Sequence, residues 1–214
     1  IRAYTPWEWH KSIFDEAKKC GIMCFSTPFD NTAVDFLEEC GNPIMKIASF
    51  EITDVNLIRY AASKGKPMVI STGVATQEDI ELAIQVCHEA GNHDITLLRC
   101  VSAYPAPLEN VNLRTMQDMK ERYGVKVGLS DHTMGSDVAI AAVALGAEMI
   151  EKHFILDRSI GGPDAAFSMT VDEFKSMVTS IRNVERAIGD VVYPADPSTI
   201  KGRQFSRSLY IAED

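Results

Sequence analysis

The 214 residues predict an α/β protein built as a TIM-type (β/α)8 barrel. Three observations carry that expectation. Short β-branched runs alternate with helical patterns at intervals of about 20–30 residues, the length of a βα unit. Most of these runs lack polar alternation, as parallel strands covered on both faces do. Polar residues also close nearly every run at its C-terminal end: Thr27, Ser49, Ser71, Ser102, Ser130 and His153. In a barrel those positions ring one mouth, where active sites are built. A doubly wound sheet would show the same alternation, but the chain has no GxGxxG turn of the dinucleotide-binding version.

In order along the chain, a helix is expected over Trp7–Lys19, then a strand over residues 23–26. Val34, Phe36 and Leu37 give a helical pattern that stops at Gly41, and the next strand covers residues 44–47. Strands at 68–71 and 95–99 flank a helix marked by Ile80, Leu82, Ile84 and Val86 and stopped at Gly91. A strand at 126–129 leads to an alanine-rich helix with Ser136 as its cap and Gly146 at its end. The sixth strand, 149–154, precedes the clearest helix. That helix opens on the capping box Thr170-x-x-Glu173 and carries Phe174, Met177, Val178, Ile181, Val184 and Ile188 on one face before Gly189. Residues 1–190 thus read as the barrel. Residues 191–214, with Pro194, Pro197 and Lys201-Gly202-Arg203, read as a linker. Six βα units are two short of a closed barrel, and the first two are expected to precede Ile1.

Composition narrows the function. The net charge of −9 and the absence of a basic stripe argue against nucleic acid or an anionic membrane as partner. Cys20, Cys24, Cys40, Cys87 and Cys100 form an odd set without a CxxC pair, which fits reduced, mostly buried thiols of a cytoplasmic protein. No apolar run approaches membrane-spanning length, and no signal peptide is visible.

Chemistry concentrates in two runs, Gly128-Leu-Ser-Asp-His-Thr133 and Glu151-Lys-His-Phe154, followed by Gly161-Gly-Pro-Asp164. Strand alternation puts Ser130 with His132 on one face, and Glu151 with His153 on one face of the next strand. Two polar pairs aimed into one mouth are costly to bury unless they bind something. Metal ligation by His132 and His153 is therefore preferred over two hydrogen-bonded core histidines. His10, His88 and His93 are expected on the solvated surface. Lys46, inside an apolar strand, needs a partner: either Schiff-base chemistry or an anion. The hydroxyls of Thr27, Ser49, Ser71 and Ser130 suit anion cradling better. Lys152, between Glu151 and His153, should face the other way and be structural.

With these residues in hand, the chain resembles the sialic-acid synthase family, the phosphoenolpyruvate-condensing makers of nine-carbon 2-keto sugar acids. The resemblance runs through Phe25-Ser-Thr-Pro-Phe-Asp30, Lys46-Ile-Ala-Ser-Phe-Glu51, Ser71-Thr-Gly73, Tyr104-Pro-Ala-Pro107 and the histidine motifs. It implies a divalent metal, manganese or magnesium, on His132 and His153, and phosphoenolpyruvate among Thr27, Lys46, Ser49, Ser71 and Ser130. It implies an N-acetylated amino sugar near Ser102, Tyr104 and the catalytic Asp164. Ser102 stands where sialic-acid synthases often carry Asn. Tyr4–Trp9 and Arg158–Ser168 look most like the branch whose acceptor is a 2,4-diacetamido-2,4,6-trideoxy hexose. The resemblance also implies a small antifreeze-like (SAF) C-terminal domain after the linker, exchanged within a homodimer. An N-acetylmannosamine or legionaminic acid precursor as acceptor, a Schiff-base aldolase using Lys46, and a non-catalytic metal- or sugar-binding remnant are the alternatives.

Overall fold

Strands covered on both faces need apolar side chains on both; four runs of this chain are buried along most of their length, while a fifth, Met149–Lys152, is only half-buried. The computed structural model describes residues 5–193 and Ile200. It contains helices α1 (Trp7–Lys19) and α2 (Asn31–Glu39), then strand β1 (Met45–Ile47), α3 (Val55–Ala62), β2 (Met68–Ser71), α4 (Gln77–Glu89), β3 (Ile95–Cys100), α5 (Arg114–Tyr123), β4 (Lys126–Asp131), α6 (Asp137–Ala144), β5 (Met149–Lys152) and α7 (Val171–Ile188). The strands form one parallel sheet in the order β1-β2-β3-β4-β5. Each strand therefore ends beside its sequence neighbour, on one edge of the sheet. That common edge is where parallel α/β folds collect functional side chains.

The core lies between the sheet and its helices. Met45, Ile47, Met68, Ile70, Ile95, Leu97, Val127 and Leu129 meet Leu57, Ile58, Ala61, Ile84, Met116 and Met119. A smaller cluster of Ala139, Met169, Met177 and Ile181 seats α7 on α6. Gly128 is forced to be glycine: a Cβ there would overlap the Met149 carbonyl of the adjacent strand. The capping boxes are real. Thr76 and Asp79 close one on α4 (Thr76 N–H to Asp79 Oδ2, 2.9 Å), and Thr170 N–H donates to Glu173 Oε2 at 2.8 Å on α7.

Several expectations change. Residues 23–26 form no strand, and the backbone groups of the last of them, Ser26, meet a side chain instead. Ser26 N–H donates to Asn42 Oδ1 at 2.8 Å, and the Asn42 amide donates back to the Ser26 carbonyl at 3.4 Å. The described sheet has five strands, not six. β5 stops at Lys152, while β4 runs two residues further than expected, through Asp131. Helices α3 and α5 were not foreseen. Ser136 stands at the N-cap of α6, but its side chain caps nothing. His10 is buried rather than solvated: its ring sits edge-on to Phe36, with Nδ1 3.2 Å from the Pro6 carbonyl and Nε2 3.2 Å from Ser26 Oγ. His88 and His93 are exposed, as expected. All five cysteines are free, but only Cys87 and Cys100 are buried. Among the described residues no helix is long and apolar enough to cross a membrane. The expected linker, 191–214, lies almost wholly outside the described residues.

Candidate active site

The strand ends build a buried polar floor. Lys46, at the centre of β1, is 7% exposed, and its ammonium donates to Ser71 Oγ at the end of β2 (3.1 Å). It also lies 3.4 Å from Glu151 Oε2 on β5. The other Glu151 oxygen accepts from Ser130 Oγ on β4 at 2.6 Å. Ser130 and Glu151 are register partners, so the bond follows directly from the strand pairing. One chain of contacts thus spans β1, β2, β4 and β5. Glu151 belongs in the site and was not singled out as a ligand-binding residue; its alternation with His153 was the available signal.

Ser49 follows β1 and accepts from the Gly73 backbone N–H at 3.1 Å. Gly73 is in tight quarters: a Cβ there would overlap Ser102 Oγ and lie 2.8 Å from Ser49 Oγ and 2.9 Å from Cys100 Sγ. Ser49, Ser102 and the Cys100 thiol therefore share one small polar recess. Two buried oxygens beside the floor have no hydrogen-bond partner, Ser102 Oγ and Glu51 Oε2. Burial pushes the Glu51 carboxyl above the usual carboxylate range, against the pull of Lys46. Glu51 was also overlooked, although it closes the Lys46–Glu51 motif. A buried oxygen without a partner calls for one, which water or a ligand can supply.

The two histidines converge as expected. The His132 and His153 rings lie 5.1 Å apart at 63°. Tyr104 covers them (ring centroids 4.3 Å from His132), and Phe167 packs against His153 at 4.9 Å. His132 Nδ1 donates to the Val101 carbonyl at 2.9 Å, which leaves Nε2 with its lone pair. Metal-binding imidazoles are held in just this way, by a donor bond from the other ring nitrogen. Burial lowers the basicity of His132, but bonds to Cys100 and the Val101 carbonyl outweigh it and leave the pKa raised. Burial, then the proximity of His132, lowers that of His153. Asp164, exposed on its loop, brings Oδ2 to 3.4 Å from His153 Nδ1. Among the described residues no three His, Cys, Asp or Glu side chains converge on one point. The donor set is two imidazoles with a carboxylate alongside, which suits a divalent cation that keeps water or substrate oxygens as its remaining ligands.

Thr27 is the outlier. It is half-buried in a groove lined by Trp7, His10, Phe29 and Phe36, and no hydrogen bond ties it to Lys46 or the serines. Trp7 is anchored there by stacking on Phe36 at 4.4 Å. Lys152 points away from the mouth, as expected, and its side chain is buried against Asp131.

The described strands thus form a parallel α/β sheet that carries a buried cation, hydroxyls and paired imidazoles on one strand-end face. The comparisons give the family. The NeuB family profile matches residues 1–193, and the chain belongs to that family. The chain is 48% identical over 214 residues to the pseudaminic acid synthase of Helicobacter pylori and 45% identical over 212 residues to that of Campylobacter jejuni. It is covered almost completely in both alignments (100% and 99%), but it spans only 63% and 62% of those relatives' own lengths. A crystal structure of the N-acetylneuraminic acid synthetase of Leptospira borgpetersenii superposes with a TM-score of 0.88 at 32% identity, over 97% of this chain and 72% of that one.

Proposed function

We propose that this chain carries the catalytic face of a nonulosonic acid synthase. The reaction joins phosphoenolpyruvate to a 2,4-diacetamido-2,4,6-trideoxy hexose and yields pseudaminic acid and phosphate. The observation that carries this reading is the Lys46–Ser71 and Glu151–Ser130 network lying on the same strand-end face as His132 and His153. The identity to the two pseudaminic acid synthases supports the choice of acceptor.

In this reading Lys46, with Ser49, Ser71 and Ser130, holds the carboxylate and phosphate of phosphoenolpyruvate. Buried beside a carboxylate already, the Lys46 ammonium needs no reorganisation to meet a second anion, which is how a preorganised site stabilises charge. The Gly73 N–H and the free Ser102 hydroxyl add donors in the adjoining recess. C3 of phosphoenolpyruvate bonds to the aldehyde carbon of the open-chain sugar, water adds at C2, and phosphate leaves with cleavage of the C–O bond. His132 and His153 would hold a divalent cation, Mn2+ or Mg2+, which when bound polarises the sugar aldehyde oxygen. Tyr104 and Asp164 stand at the open side, where the sugar hydroxyls and acetamido groups would lie. Burial, then neighbouring Cys100 and Asp164, raise the Tyr104 phenol, which keeps it a neutral hydrogen-bond donor. Thr27 takes its phosphoenolpyruvate role from the family resemblance, since it lines a separate groove and shares no hydrogen bond with the floor.

We further propose that residues 1–190 form part of a (β/α)8 barrel domain, completed by its remaining units, with residues 191–214 as the linker to an antifreeze-like domain and a cytoplasmic homodimer that exchanges that domain. The share of the relatives' length that the chain leaves unspanned gives room for both additions. The test is phosphate release by the protein at its natural length, with phosphoenolpyruvate and a panel of N-acetylated amino sugars. Release with the 2,4-diacetamido-2,4,6-trideoxy sugar is expected. Release with N-acetylmannosamine alone, or with no sugar, would overturn the assignment.

A further inference from the structure

Asp131 and Lys152 take no part in the chemistry above, yet they are the most deeply buried ion pair among the described residues. Each side chain is 1% exposed, and Nζ lies 2.7 Å from Asp131 Oδ2. The same ammonium donates to the Thr133 carbonyl at 2.6 Å. The other Asp131 oxygen accepts from the Thr133 backbone N–H at 2.9 Å and from its hydroxyl at 2.7 Å. All three polar groups of Thr133 are thereby tied. Alternation along β4 and β5 puts this cluster on the sheet face opposite Ser130, His132, Glu151 and His153.

A buried ion pair is poor evidence of added stability. Removing two charges from water costs about as much as their attraction returns, and apolar replacements are often as stable. The best-attested use of such pairs is to fix register. Here register has a chemical consequence. Asp131 and Lys152 are direct partners in the β4–β5 ladder. A slip of one residue would carry Glu151 and His153 to the wrong face. His132 lies between Asp131 and Thr133, both tied, and His153 follows Lys152 immediately.

We infer that Asp131, Lys152 and Thr133 form a positioning clamp that sets the approach of the two imidazoles, an inference that rests on reading His132 and His153 as ligands of a divalent cation. All three are positioning residues, acting through the histidines from behind the sheet. A clamp of purely structural value would change the melting temperature and leave cation affinity alone. A positioning clamp does the reverse once its charges are removed together.

The experiment titrates Mn2+ into the natural-length protein by calorimetry, alongside thermal melts. In D131N/K152M, which removes both charges and strands neither, Mn2+ binding is expected to weaken about tenfold or more with the fold retained, the loss usual when a ligand-orienting partner is removed. A folded double variant with unchanged Mn2+ affinity overturns the clamp and leaves the metal reading standing. A natural protein that binds no Mn2+ overturns the metal reading, and the clamp with it. Should the double variant not fold, Thr133→Val decides. It keeps the ion pair and loses one hydrogen bond, so roughly threefold weaker Mn2+ binding is expected, and no change overturns the clamp.

Discussion

The floor of the site and its rim are built differently. On the floor, Lys46, Ser49, Ser71 and Ser130 are all buried, and strand pairing or short hydrogen bonds hold them in place. On the rim, Tyr104 is 48% exposed and the Asp164 side chain 55%, both on loops after strands. Residues on paired strands cannot shift without breaking the ladder, whereas loop residues can be exchanged with little effect on the sheet. A rigid floor suits a ligand common to all reactions of a family, and a replaceable rim suits a ligand that varies. The histidines lie between the two, His132 buried and His153 half-exposed.

The largest effect is expected at that boundary. His132→Ala or His153→Ala should lower turnover by roughly a thousandfold or more, the several kcal/mol that a bound cation contributes to charge stabilisation, with the fold kept. Full turnover after exhaustive chelation, with no metal detectable, would sink this expectation. Next comes a double dissociation. Lys46→Gln strands Glu151 and removes the floor's cation, so phosphoenolpyruvate affinity should fall by about 30-fold, near 2 kcal/mol, with the sugar KM almost unchanged. Tyr104→Phe should do the opposite, raising the sugar KM a few-fold for one lost hydrogen bond. If both substitutions moved the same substrate's KM, the division between floor and rim would be wrong.

That division also explains what the amino-acid sequence made legible. Polar residues at the ends of apolar runs stand out because burial of such groups is costly, so Lys46, Ser71, Ser130 and the two histidines could be named in advance. Glu151 was harder: alternation puts it on the mouth face with His153 but names no partner for it there. Its role emerges only when β4 and β5 align Ser130 with it. Residues 23–26 misled for a different reason. Their apolar pattern is that of a strand, but a strand exists only where a partner backbone accepts its bonds; here no described strand pairs with them, and Asn42, 16 residues away, meets the backbone of Ser26. His10 likewise sits at a helical position whose inward direction depends on where that extended segment passes. Helices α3 and α5 escaped notice because their short, mixed segments announce themselves only by packing against the sheet.

A smaller effect should sharpen the picture of the floor. Gly73→Ala would drive a methyl group into Ser102 Oγ, Ser49 Oγ and Cys100 Sγ. Overpacking of this kind costs about 1–3 kcal/mol, and here it would also displace Ser49 from the Gly73 N–H. The expected result is a lower melting temperature together with weaker phosphoenolpyruvate binding and an unaltered sugar KM. Loss of sugar binding alone would place the recess on the rim instead.

The smallest expected effect tests whether the floor carries an uncompensated carboxylate. Glu51 Oε2 is buried without a partner, and burial raises the Glu51 pKa above its ordinary value despite the nearby Lys46. A carboxyl whose folded pKa exceeds its unfolded pKa contributes stability that is fully present below the unfolded value and lost as pH rises through the folded one. The loss should begin near pH 4, about where an unperturbed glutamate titrates, and be complete just above the shifted value. Glu51→Gln has no proton to lose in that window. The melting temperatures of the variant and the natural protein should therefore differ least at the acid end, and the variant should gain steadily as pH rises toward neutrality. Bound phosphoenolpyruvate should enlarge the contrast, because a second anion beside Lys46 offsets the charge attraction that, with a backbone hydrogen bond, favours ionised Glu51. A difference that stays constant with pH would mean that water or a neighbouring donor satisfies Oε2, and that the floor is electrostatically complete before any ligand arrives.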